Sequence, residues 1–236
     1  MGVIEVVAVI AIAGGTVWVL LRRPSRSTGT TPPEATEQVS RPGIIRPQRQ
    51  PRRPAALPER FIVADIETTG LHPSKHQIIE IGAIAVRNGS DREFFSTLVR
   101  KEGSPRLPRK IVEKTGITYE ILETHGRPLP EAMNDFLDFI GDDMLVFYNA
   151  PFDTAFLTHA ARCIGRPMQN RVCCALRLAR QTWPHLPRHR LVDVAAAQGL
   201  TPKGAHRALV DCEMTLSVYL AAVSQSGRLG EWSWRV

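Results

Sequence analysis

Phe61-Ile62-Val63-Ala64-Asp65-Ile66-Glu67-Thr68-Thr69-Gly70 is the stretch on which the reading of this 236-residue chain turns. The run from Phe61 to Ile66 is apolar except for Asp65, as a strand buried in a sheet would be. In an extended chain residues i and i+2 share a face, so Asp65 and Glu67 point the same way from the end of that strand. A carboxylate pair so placed can hold a metal ion. Working outward, Gln77 to Arg87 and Glu93 to Val99 are again extended in pattern, joined by Asn88-Gly89, a strong hairpin signal. Three antiparallel strands in succession are expected. Helical patterns follow at Arg109 to Lys114 and Glu131 to Ile140, the second apolar at positions 132, 133, 136, 137 and 140. Met144 to Tyr148 suits a short buried strand, Pro151 suits the first turn of a following helix, and a last helix is expected from Arg207 to Val223. This order predicts an α/β fold in which helices cover a mixed sheet.

Two further stretches carry the same chemistry as the first. Asn149-Ala150-Pro151-Phe152-Asp153 supplies a third carboxylate, and His206-Arg207-Ala208-Leu209-Val210-Asp211 supplies an imidazole and a fourth. In-line cleavage of a phosphodiester needs an activated water, a stabilised leaving oxygen and charge to offset the transition state, and two divalent ions roughly 4 Å apart provide these. Hard oxygen donors suit Mg²⁺ or Mn²⁺, with only one or two protein carboxylates per ion. Four carboxylates shared by two ions match that demand. Taken singly, each residue has a plainer reading. Asp153 could serve the dipole of its helix, Asp65 and Glu67 could flank a turn, and His206 could be a solvated loop residue. The ordered set of five is what argues for a site.

The three motifs, in this order, resemble those of the DEDDh group of 3'-5' exonucleases, the DnaQ-like family that includes proofreading subunits and domains of bacterial replicative polymerases. The resemblance covers about residues 60 to 223. It implies a ribonuclease H-like sheet flanked by helices, metal ligands at Asp65, Glu67, Asp153 and Asp211, and His206 as general base. It further implies two Mg²⁺ ions, with Mn²⁺ able to substitute, and contact of Thr68 and Leu71 with the 3'-terminal nucleotide. Thr115-Gly116-Ile117-Thr118 and His189-Arg190-Leu191-Val192-Asp193 also look like the family's flanking turn and helix start. Two positions depart: Tyr148 stands where many relatives carry His, and Cys173-Cys174 where an Asp-Thr pair is common. Phe152 and Leu71 are apolar beside the motifs, open to core packing or to stacking on a base, with core the preferred reading for Phe152. The remaining histidines, at 72, 76, 125, 159, 185 and 189, read as surface or capping residues.

The formal charge of +7 resembles a nucleic-acid footprint, but its location qualifies that. Between Arg22 and Arg60 lie nine Arg, no Lys and three Glu, a net of +6. Residues 22–59, rich in Pro, Arg, Thr and Gln, are expected to form an extended, disordered linker. It reads equally as a basic tether for lipid headgroups or nucleic acid and as a solvated spacer. Before it, residues 3–21 (VIEVVAVIAIAGGTVWVLL) approach the roughly 20 residues needed to cross a bilayer. An N-terminal transmembrane helix is expected there, with Arg22, Arg23 and Arg26 favouring a cytoplasmic location for the linker and the domain beyond it. A secretory signal would carry its positive charges ahead of the apolar stretch. Residues 60–236 form the expected exonuclease domain. Its four cysteines lack the paired spacing of a zinc site and read as small buried hydrophobes.

The resulting expectation is a membrane-anchored, metal-dependent 3'-5' exonuclease acting on single-stranded DNA ends and releasing nucleoside monophosphates. An exoribonuclease acting on short RNA or tRNA ends is the alternative within the same chemistry, since only contacts to the 2'-OH would separate the two. An inert membrane-tethered nucleic-acid-binding module is the alternative outside it, and would be expected to lack a ligand. Partners are the 3' ends themselves, lipid around the first helix, and a polymerase or repair protein that the sequence does not name.

Overall fold

A computed structural model of the chain describes residues 56–103, 106–200 and 206–232. In chain order these form β1 (Arg60–Thr68), β2 (Ile78–Arg87), β3 (Asp91–Leu98), α1 (Arg109–Thr115), α2 (Tyr119–His125), α3 (Leu129–Ile140) and β4 (Met144–Phe147). After β4 come α4 (Ala150–Cys163), β5 (Val172–Cys174), α5 (Ala175–Thr182), α6 (Leu191–Ala197), α7 (Ala208–Ser226) and β6 (Glu231–Trp232). The strands make one six-stranded sheet in the order β3-β2-β1-β4-β5-β6. β1 sits at its centre, antiparallel to β2 and parallel to β4. The hairpin expected at Asn88-Gly89 is present, and both residues have positive φ, 50° and 78°. That left-handed pair matches the right-handed twist of the strands it joins.

Alternation along the strands divides the core. Ile62, Ala64 and Ile66 of β1, Ile81, Ala83 and Ala85 of β2, and Leu145 and Phe147 of β4 face α3 and α4. Phe61 and Val63, Ile84 and Val86, and Met144 and Val146 face α5, α6 and α7 on the other side. Both layers of the sheet are thus covered, which is why β2 is apolar at almost every position rather than at every second one. The same alternation sends Asp65 and Glu67 to the side of Phe61 and Val63, beneath α7. The apolar row of β1 becomes a row of carboxylates as the strand leaves the core.

Gly82 allows that arrangement. It pairs with Asp65 in the β1–β2 ladder, and α7 crosses directly over it. A Cβ at this position would lie 2.8 Å from the Ala208 carbonyl carbon, the Ala208 methyl and the Leu209 nitrogen. Cys212 Sγ donates to the Gly82 carbonyl at 3.4 Å from the same helix.

Several expectations need correction. Of the cysteines, Cys163 is exposed, because it lies on the outer face of α4 with its sulfur 3.9 Å from His159 Nε2, one turn earlier. His76 and His189 are half-buried: the His76 ring lies against Gly70, leaving no room there for a Cβ, and a ring nitrogen of His189 is 3.0 Å from the Trp183 carbonyl. The end of the linker is ordered against the domain, since Leu57 packs on the α5–α7 layer and the Glu59 carbonyl accepts from Asn88 N–H at 2.9 Å. The expected span at 3–21 and linker residues 22–55 lie outside the described residues. Among the described residues no helix is long and apolar enough to cross a membrane.

Gly82→Ala is therefore expected to destabilise the domain by about 1–3 kcal/mol, as overpacking at a close contact does. Denaturant unfolding measures it, and an unchanged midpoint would show that the approach of α7 to β2 is not fixed.

Candidate active site

Each of the five candidate residues is delivered by a different local device. Asp65 and Glu67 come from the last turn of the pleat in β1, just before a register shift between Glu67 and Thr68 breaks the ladder. Asp153 lies in the first turn of α4, a helix that starts where β4 ends, at the same edge of the sheet as the end of its parallel neighbour β1. It is 3% exposed. Asp211 occupies the first turn of α7, where its Oδ1 accepts from His206 N–H at 3.2 Å. His206 precedes that helix, exposed and at a φ of 69°, unusual for a residue other than glycine. Donor atoms of Glu67, His206 and Asp211 lie within 4.8 Å of one another.

Electrostatics bind the other two carboxylates to this group. Burial pushes the Asp65 carboxyl well above its ordinary range, and the charges of Asp153, Asp211 and Glu67 push it further. Asp153 is raised by burial first. Asp211 is raised by burial and eased by His206. Glu67 is pushed up to about 7, first by burial and then by Asp211 and Glu80, while Lys114 and Arg207 act in the opposite sense. Four carboxylates are thus crowded where none is comfortable as an anion.

Such a cluster fits divalent cations. The donors are hard oxygens, they converge, and their mutual repulsion is what a positive ion relieves. Asp65, Glu67, Asp153 and Asp211 would hold the ions, and His206 stands at the rim.

Around the site the remaining candidates separate. Leu71 is 73% exposed, at the tip of a loop closed by Thr69 N–H on the Gln77 carbonyl at 2.9 Å and by Gln77 N–H on Thr69 Oγ1 at 3.0 Å. Core packing is thereby ruled out for it. Thr68 is buried, and its hydroxyl donates to the Gly70 carbonyl at 2.6 Å, so it shapes that loop. Phe152 is half-buried against Phe156, ring centroids 5.2 Å apart, which agrees with the core reading. Tyr148, beside the α4 start, donates its hydroxyl to the His189 carbonyl at 2.7 Å.

The sequence reading missed Glu80 and Arg207. Glu80 of β2 stands opposite Glu67 in the ladder and is 2% exposed. Its Oε1 accepts from Arg207 Nη2 at 2.8 Å, and its Oε2 accepts from Ala208 N–H at 3.0 Å. A signal was present, because a lone acid within the apolar run Ile78 to Val86 requires a buried partner.

The raised carboxyls set a pH dependence. A Glu67 that titrates near 7 in the fold and near 4.5 when unfolded contributes its full stability below pH 4.5 and loses it as pH rises through 7. Mg²⁺ binds the ionised form, so its stabilising effect should be larger at pH 8 than at pH 5. Thermal melts with EDTA and with Mg²⁺ across that range measure this, and a Mg²⁺ shift that does not grow with pH would contradict it.

Comparison with known proteins agrees with this site. A family model described as Exonuclease matches residues 62–219. The DNA polymerase III subunit epsilon of Aquifex aeolicus (strain VF5) is 32% identical over 181 residues, 76% of this chain and 88% of that protein. The PolC-type DNA polymerase III of Clostridium perfringens (strain 13 / Type A) is 34% identical over 161 residues, which are 68% of this chain but 11% of that polymerase. Among solved structures, E. coli exonuclease I in complex with a dA16 oligonucleotide superimposes with a TM-score of 0.65 at 18% identity, over 73% of this chain and 42% of that one. The nuclease domain of 3'hExo, a DEDDh family member bound to rAMP, gives 0.64 at 16% identity, over 76% and 98%. These two likenesses show the fold. The family match runs from within β1 into α7 and takes in every element that carries a candidate ligand, so the chain belongs to the Exonuclease family, as a DnaQ-like 3'-5' exonuclease.

Proposed function

We propose that the domain hydrolyses single-stranded DNA from its 3' end, releasing nucleoside monophosphates, with two Mg²⁺ ions and His206 as general base. The observation that carries this reading is the meeting of Glu67, His206 and Asp211 donor atoms within 4.8 Å of one another, with Asp65 and Asp153 near enough for their charges to act on the same carboxylates. Bound ions would supply the positive charge that orients the scissile phosphate and offsets charge on the attacking and leaving oxygens. The chain's own part is to hold and to accept. Asp65, Glu67, Asp153 and Asp211 would hold the ions from three rigid elements, which would keep the phosphate in line for attack. His206, exposed just ahead of α7, takes the proton of the attacking water as the new O–P bond forms and the 3' oxygen leaves, to be protonated from solvent. Leu71 projects from its closed loop, an apolar surface suited to the face of the terminal base.

Release of mononucleotides from end-labelled single-stranded DNA, run beside RNA of the same sequence with and without Mg²⁺, tests the proposal. DNA should be the better substrate, and faster degradation of RNA would replace this reading with the exoribonuclease one. Replacing Asp65, Glu67, Asp153 or Asp211 by Ala should abolish hydrolysis in a folded protein, and wild-type rates in any of them would sink the ligand assignment. His206→Ala should slow the reaction by about 10²-fold or more at neutral pH while metal binding persists. An unaltered pH–rate profile in that variant would reject the base.

The apolar character of residues 3–21 and the arginines after them support a place for this activity at a membrane, with the domain on the cytoplasmic side. The full chain should then pellet with membranes and resist carbonate extraction, whereas a chain begun near Ala55 should be soluble and active. Cleavage of the domain by protease outside intact spheroplasts would overturn this orientation.

A further inference from the structure

We propose that Glu80 and Arg207 are a positioning pair for catalysis, holding the backbone at His206 in its working geometry. The inference rests on the reading of His206 as the base. Arg207 is the residue between His206 and the first residue of α7, and its guanidinium lies along the Glu80 carboxylate. Nε reaches Oε1 at 3.1 Å and Oε2 at 3.2 Å, and Nη2 reaches Oε1 at 2.8 Å. The next residue, Ala208, gives its N–H to the same carboxylate at 3.0 Å. One side chain of β2 therefore grips two consecutive residues, through a side chain and through the backbone.

This grip constrains the residue before it. His206 has a left-handed backbone at φ 69°, a conformation that persists only where its surroundings impose it. Its own N–H is held by Asp211 at 3.2 Å, and the following residue is held by Glu80. The backbone is pinned on both sides of the imidazole, and the pins are a metal-ligand candidate and a buried carboxylate of the central sheet.

Capping alone does not account for the arrangement. A serine, threonine, asparagine or aspartate ahead of α7 would satisfy its first N–H groups locally, yet the N-cap position is Arg207, with no side-chain cap bond. The chain instead places a further carboxylate directly across the ladder from Glu67 and matches it with a guanidinium. The side chain of Arg207 is 50% exposed while that of Glu80 is 2% exposed. A planar fork against a carboxylate fixes direction as well as distance.

Steady-state kinetics on a single-stranded oligonucleotide, in the full-length chain, tests the pair. Glu80→Gln keeps the shape and an acceptor for Ala208 N–H, so the protein should fold and bind Mn²⁺, while kcat falls by about 10- to 100-fold and KM stays within about threefold. Arg207→Met should do the same, and Arg207→Lys should recover only part of the loss, having charge without the fork. If the pair works through His206, adding Glu80→Gln to His206→Ala should cost little more. Full multiplicative losses in that double variant, unchanged kcat in the folded single variants, or a KM rise at constant kcat would each overturn the proposal. A His206→Ala protein with wild-type kcat would instead strike the base assignment.

Discussion

The seating of the N-terminus of α7 on β2 is the contact on which the rest of the site depends. It joins the last long helix to the centre of the sheet through Gly82, where backbone meets backbone, and through Glu80, where a buried carboxylate takes up the helix's first N–H. Both residues lie on β2, beside β1 and in register with Asp65 and Glu67. A helix held at that height presents Asp211 to the two β1 carboxylates with no intervening loop to absorb error. Position in this site is thus set by sheet pairing, which is stiff, and only His206 lies outside a strand or helix.

The same arrangement has a cost that the fold must carry. Four acids and a fifth neighbour are brought together in a low-dielectric corner, and the raised affinities of Asp65, Glu67 and Asp153 for protons are the measure of that strain. Stability comes from elsewhere, from the two apolar layers on either face of the sheet. Their side chains are sorted by the same alternation that aims the ligands. Packing and chemistry are two ends of one strand pattern, the apolar end at Phe61 and the charged end at Glu67.

Sequence made the centre of this molecule legible and its edges obscure. The run from Phe61 to Gly70, the Asn88-Gly89 turn and the apolar periodicity of α3 are local signals, and the structure has β1, the β2–β3 hairpin and α3 there. β5 and β6 escaped because strands of three and two residues contain too little pattern to read. α2 was not read in the sequence, where only the turn before it, Thr115 to Thr118, stood out, although Thr118 carries the cap signature, its hydroxyl accepting from Ile121 N–H at 3.3 Å. The five candidate site residues were visible as chemical types in order. Glu80 and Arg207 were not, since an ion pair between residues 127 apart is a product of topology. Cys163 was misplaced because burial on α4 depends on which face meets the sheet, and a cysteine carries no periodicity of its own.

That separation along the chain has a consequence for biosynthesis. A ribosome delivers Asp65 and Glu67 early and Asp211 last, more than 140 residues later. A chain that stops short of Ala208 lacks Asp211 and the helix that carries it, so the four carboxylates are assembled only when α7 closes over β2. Assembly of the site therefore waits on a contact between distant parts of the chain, the kind that is slow to form.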